Sequence, residues 1–223
     1  MKVILFGGTG MVGQGVLREC LLDPRVERVL AVGRKESGVE AGGQPTKVVG
    51  LVNPDFFNWD GVEVAFEGYD ACFFCLGVSA VGMKEEEYKR ITYELTLGVA
   101  EVLLRSGVKT FVYVSGQGTN EHVRQMWARV KGATESALMR MPFEHVYCFR
   151  PGFIQPLDGI RSKTRFYQAI YSATGWMYPL LRRVAGRFVT TTREVGRAMI
   201  SVAAVGYEKR MLENVDIQAA AAR

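Results

Sequence analysis

Histidine is nearly absent from this sequence: His122 and His145 are the only two in 223 residues. Imidazole acid–base chemistry is thereby narrowed to two positions. His145 opens an apolar, strand-like run and reads as structural, whereas His122 follows a strand end and is a candidate acid or base. Cysteine is scarce as well, with four residues. Cys72, Cys75 and Cys148 lie in apolar strand-like runs and Cys20 on an apolar helix, so all four are expected to be reduced and buried. The spacing Cys72-x-x-Cys75 suggests a redox or zinc pair. Residues three apart on a strand point to opposite faces, however, so the two cannot share a metal or readily close a disulfide, and no metal site is expected.

No apolar run approaches the ~20 residues of a membrane helix, so no transmembrane segment is expected. The first apolar run, residues 1–6, is too short for a signal peptide, which makes cytoplasm the default location. Linkers, repeats and low-complexity tracts are also missing, and the chain reads as one domain. The excess of cations is slight, a net charge of +5 with Lys and Arg scattered along the chain, and calls for no nucleic-acid partner.

What is present is an ordinary globular composition, 48% hydrophobic and 23% charged, carrying one concentrated motif. The apolar residues 2–6 run directly into Gly7-Gly8-Thr9-Gly10-Met11-Val12-Gly13 and then into a helix over residues 12–22. The overlapping patterns Gly8-x-Gly10-x-x-Gly13 and Gly7-x-x-Gly10-x-x-Gly13 form a dinucleotide fingerprint. One glycine permits the tight turn, another admits a pyrophosphate, and the last lets helix pack on strand. The pyrophosphate is expected on the free amides and positive end of that helix, with Gly7, Thr9, Gly10, Met11, Val12 and Gly13 as its binding residues.

Beyond the loop, strands are expected at residues 28–33, 46–50, 71–76, 110–114 and 145–149, with a short last one at 213–217. Helices are expected over residues 84–106, 121–140 and 194–205, with a frayed tail at 219–222. This alternation is that of an α/β, doubly wound parallel sheet with right-handed crossovers. Ligands in such sheets bind at the carboxyl ends of the strands, which adds residues 76–79, 115–119 and 151–155 to the candidates.

At the end of the second strand, the acid that would hold the ribose hydroxyls of NAD is missing; Gly33-Arg34-Lys35 stands there instead. A guanidinium pairs with a 2′-phosphate and stacks on adenine, and the ammonium adds a second positive charge, so Arg34 and Lys35 favour NADP.

Gly7–Gly13, Gly33-Arg34, Gly68-Tyr69-Asp70, Leu76-Gly77, Gly107-Val108-Lys109, Arg150-Pro151-Gly152 and Leu212-Glu213-Asn214 together resemble the atypical short-chain dehydrogenase/reductases. The layout is most similar to the subgroup with the HIV Tat-interacting oxidoreductase homologue and the NmrA-like proteins. The resemblance covers nearly the whole chain. It implies an NADP-binding Rossmann domain over residues 1–223, with residues 153–192 as a small substrate lobe and with Leu76, Gly77, Pro151 and Gly152 beside the cofactor.

The family's chemistry rests on a serine and a Tyr-x-x-x-Lys. Counting from Ser115, that slot falls on Trp127-Ala-Arg-Val-Lys131. Lys131 is kept and, with Ser115, is the implied catalytic pair; Lys131 also holds the cofactor. The phenol is replaced by an indole, whose N–H has no usable acidity. Where the family has the second serine of a pair, this chain has Gly116. Thr92 occupies a position where relatives place a polar site residue, and is expected to be a helix-surface threonine.

Three functions stay open on this reading: a cofactor-dependent sensor, scaffold or weak reductase, a competent reductase using another donor, or a membrane-peripheral factor docking through residues 169–187. Aromatic residues interleaved with arginines in residues 161–187 suit an apolar ligand with an anionic group, a partner or a membrane surface equally. The small-molecule substrate or regulatory ligand and the oligomeric state are not legible.

Overall fold

In the computed structural model, which describes residues 1–35, 47–160 and 186–223, the opening apolar run forms β1 (Lys2–Phe6) and the glycine loop feeds α1 (Met11–Leu22). There follow β2 (Arg28–Gly33), β3 (Val48–Val52), β4 (Ala71–Phe74), α2 (Glu85–Lys89), α3 (Leu95–Arg105), β5 (Thr110–Val114), α4 (Met126–Arg140) and β6 (His145–Arg150). The chain continues through β7 (Phe153–Gln155), β8 (Val189–Thr191), α5 (Thr192–Val205), β9 (Met211–Glu213) and α6 (Asn214–Ala221).

Among the described residues, seven strands pair in parallel in the order β3-β2-β1-β4-β5-β6-β9, while β7 and β8 form a separate parallel pair. Strand order reverses between β1 and β4, so their carboxyl ends diverge and leave a crevice. The doubly wound fold is as the alternating pattern predicts. Successive residues of each central strand enter opposite layers: Ile4, Phe6, Cys72 and Phe74 pack with Val99, Leu103 and Leu138, whereas Val3, Leu5 and Phe73 pack with Val16, Leu17 and Met199. Burial on both faces is why these strands read as continuous apolar runs. Cys72 lies in the first layer and Cys75 packs against the second, on opposite faces as expected.

Several elements differ from the sequence reading. The helix expected over residues 84–106 is α2 and α3 joined by a π-turn at Arg90–Glu94. Thr96 Oγ1 donates to the Thr92 carbonyl at 2.8 Å and Thr134 Oγ1 reaches it at 3.3 Å, so side chains engage a carbonyl of the distorted turn. Thr92 is therefore not a surface residue; it is buried, 7% exposed, between α3 and α4.

The helix expected from residue 121 begins at Met126, because the preceding residues close local turns: Thr119 Oγ1 donates to the Gly116 carbonyl and the His122 amide to Asn120 Oδ1. The expected strand at 213–217 is the end of β9 followed by α6. A capping box between Glu213 and Asp216 starts that helix. Ala220, expected to fray, is fully buried. The third strand is Val48–Val52, two residues later than expected, with residue 46 outside the described residues. Residues 161–185, with most of the aromatic and basic lobe, also lie outside them.

Candidate functional site

The loop between β1 and α1 is shaped by absences of Cβ atoms. Gly7 has φ +80°, and a Cβ there would stand 2.7 Å from the Cys75 carbonyl and the Leu76 nitrogen, at the end of β4. A Cβ on Gly13 would stand 2.1 Å from the Gly7 oxygen. Both positions require glycine for the backbone to come this close. The Gly10 amide donates to the Gly7 carbonyl at 2.9 Å, closing the turn. At the start of α1, Gly10 offers no side-chain cap and no acidic residue stands in the first turn. Those amides and the positive helix end fit a pyrophosphate.

Two hollows flank the loop. A small one of about 90 Å³ is lined by Gly7, Thr9, Gly33, Arg34, Phe56 and Leu76 among others, which places Arg34 beside the loop at the end of β2. A larger cleft of about 400 Å³ takes in Gly10, Met11, Val12, Leu76, Gly77, Ser115, Lys131, Pro151 and Gly152. The fold thus gathers nearly all the expected residues into one crevice. Gly13 lies buried beneath the loop, and Lys35 is exposed and lines neither hollow.

On the far wall, Lys131 of α4 donates through Nζ to the Ser115 carbonyl. Burial pushes its ammonium down to about 8, opposed by the negative charge of Glu135. Ser115 is itself only 5% exposed. Its Oγ lies 2.5 Å from Glu135 Oε1 and 3.0 Å from the Phe149 carbonyl, so its hydroxyl is turned toward the protein interior.

Glu135, one turn beyond Lys131, has a side chain 1% exposed and receives Arg150 at 3.0 Å (Nε to Oε1) and 2.5 Å (Nη2 to Oε2). Arg150 also reaches Glu213 at 3.2 Å. Its bonds to Glu135 hold the guanidinium more firmly charged than usual. Glu135 was not singled out from the sequence, and Arg150 only as part of Arg-Pro-Gly. The signal lay in the four-residue offset from Lys131 to Glu135, which puts both on one helix face.

Trp127 stands one turn before Lys131, 37% exposed, and does not line the cleft. Its ring edge lies 3.7 Å from where a Cβ of Gly118 would be. Gly116 has φ +156°, which a serine adopts poorly. His122 is in the exposed loop before α4, its side chain 85% exposed and away from the cleft lining. Cys75 lines the cleft, but burial raises its thiol far above the ordinary range.

Comparison with known proteins supports the same assignment. The protein fmp52-1, mitochondrial, of Aspergillus terreus is 32% identical over 171 residues, 75% of this chain and 72% of the relative. HTATIP2 of Rattus norvegicus is 27% identical over 153 residues, 69% of this chain and 62% of that protein. Among solved structures, dTDP-glucose 4,6-dehydratase DesIV of Streptomyces venezuelae, with NAD and TYD bound, superposes with a TM-score of 0.71 at 14% identity, covering 99% of this chain and 80% of that one. Gre2 of Candida albicans in complex with NADPH gives 0.71 at 13% identity, covering 96% and 78%. These two carry different dinucleotides on one fold.

Several fmp52 relatives are named as mitochondrial proteins, which overturns the cytoplasmic expectation. That expectation rested on the first apolar run, which is strand β1, buried in the sheet, and carries no information on compartment. A family model described as NAD(P)H-binding matches residues 7–141. With the parallel sheet order and the glycine cradle, it establishes that this chain belongs to the NAD(P)H-binding family, as an atypical short-chain dehydrogenase/reductase with a nicotinamide-dinucleotide site.

Proposed function

We propose that this protein binds NADP(H) in preference to NAD(H) and reduces carbonyl compounds slowly, because its cleft lacks the family's phenolic proton donor. The observation that carries the reading is Trp127, one helical turn before the cleft-lining Lys131 in the slot of the missing tyrosine.

The chain's own groups divide the work. The first-turn amides of α1 hold the pyrophosphate, and Arg34 takes the 2′-phosphate in the small hollow, where no acid stands to repel it. Lys131 holds the nicotinamide ribose, and Leu76, Gly77, Pro151 and Gly152 line the cleft beside it. The bound reduced nicotinamide supplies a hydride. Among the described residues no phenol lines the cleft to give the matching proton, and the Ser115 hydroxyl is engaged with Glu135. Such a site suits a nucleotide-dependent sensor or scaffold with residual reductase activity.

Trp127→Tyr tests this directly. With Lys131 in place, NADPH-dependent reduction of a simple ketone should rise at least tenfold, toward the ~10²–10⁴ that a positioned general acid supplies. Gly116→Ser is a poor companion change, since residue 116 has φ +156°. A wild-type protein that reduces the ketone briskly, and is only slowed by Trp127→Tyr, would overturn the reading.

A further inference from the structure

We propose that Lys131 is the acid of this cleft, handing a proton from Nζ to the oxygen of a carbonyl substrate. The inference rests on the NADPH-binding reading above. In the step, a hydride from reduced nicotinamide forms the new C–H bond, the C=O π pair moves to oxygen, and an Nζ–H bond breaks as the O–H bond forms. The products are an alcohol, oxidised nicotinamide and a neutral amine, which regains its proton from water.

Three features of the geometry support the assignment. Lys131 lines the same cleft as the α1 amides and Pro151-Gly152, so it faces the space where a substrate would meet the cofactor. Its hydrogen bond goes to a neutral group, the Ser115 carbonyl. Glu135, the carboxylate one turn away, is held instead by Arg150.

Among the described residues, four other candidate donors are poorer acids. The Ser115 hydroxyl bonds to Glu135, His122 sits in solvent, and Trp127 has no acidic proton. The Cys75 thiol holds its proton too tightly. Among the described residues, Lys131 is the cleft-lining acid whose burial brings it to about 8, in the range where a general acid is both protonated and willing to donate. Among the described residues, the charged or titratable groups near it are Glu135 on α4, itself paired with Arg150 of β6, and Cys75, which lines the same cleft after β4.

The first arm of the test needs no cofactor. Carbamylation of Lys131 by cyanate, followed by peptide mass spectrometry from pH 6 to 11, should show a reactivity midpoint of about 8. A midpoint near the ordinary ~10.4 overturns the proposal whatever the variants do.

The second arm follows single-turnover oxidation of NADPH by 4-nitrobenzaldehyde in wild type, Lys131→Arg and Lys131→Met. Arginine keeps the charge and the donors but not a transferable proton. Lys131→Arg should therefore hold NADPH within a few-fold of wild type, by fluorescence, while losing at least tenfold in rate. Lys131→Met should lose both. The wild-type rate should fall about tenfold per pH unit above 8, and the Lys131→Arg rate should stay flat. Equal rates in wild type and Lys131→Arg, a wild-type rate indifferent to pH, or NADPH binding with no turnover at all would each overturn Lys131 as the acid and leave the binding reading intact. Failure of wild type to bind NADPH would overturn both.

Discussion

Arg150 ends β6 with a guanidinium 20% exposed, between a carboxylate that is 1% exposed and one that is 47% exposed. The two ion pairs should differ sharply in worth. Replacing Arg150 by methionine strands the Glu135 charge in the interior and should cost about 3–5 kcal/mol, the scale of breaking a buried pair. Glu213→Gln removes an exposed partner and should cost under ~1 kcal/mol. Urea unfolding of the two variants measures both, and comparable losses would show that Glu135 is not the member that matters. Because Glu135 also accepts the Ser115 hydroxyl, Arg150→Met should loosen the strand end on which Lys131 rests.

Among the elements, α1 and α5 pack backbone close to backbone. A Cβ on Gly15 would stand 2.5 Å from Thr192 Cβ, and one on Gly196 would stand 3.1 Å from Val16 Cα and 2.9 Å from Glu19 Cγ. Glu19, 3% exposed, lies in this seam and is held by Arg18 at 2.6 Å and Arg197 at 2.9 Å. Gly196→Val should therefore destabilise the fold by about 1–3 kcal/mol or more through overpacking. Thermal unfolding checks this, and an unchanged melting temperature would show that the seam can open without loss.

The central strands were legible because burial on both faces writes them as apolar runs, as in Ala71–Phe74. The π-turn was not, since Thr96 and Thr134 mark it only once α3 and α4 are packed together. The start of α6 was misread because Val215 and Ile217 alternate like a strand, while the Glu213–Asp216 box that decides the matter is weaker to the eye.

At the scale of the whole molecule, the reversal of strand order between β1 and β4 brings together residues as distant as Arg34, Lys131 and Gly152 around one crevice. The glycine loop was readable from spacing alone, because the Gly7 and Gly13 contacts are local or made to the adjacent strand. The Ser115–Glu135–Arg150 chain was not, because it joins the residue after β5 to α4 and β6 through side chains that the sequence keeps 15 to 35 positions apart.

We propose that this crevice holds NADP(H) through Arg34. Fluorescence titration of wild type and Arg34→Ala with NADPH and NADH is the decisive measurement. Wild type should bind NADPH more tightly than NADH. Arg34→Ala should lose about 1.5–3 kcal/mol for NADPH, the scale of a hydrogen bond to a charged group, with NADH almost unchanged. Equal affinities in wild type, or tighter NADH, would contradict it.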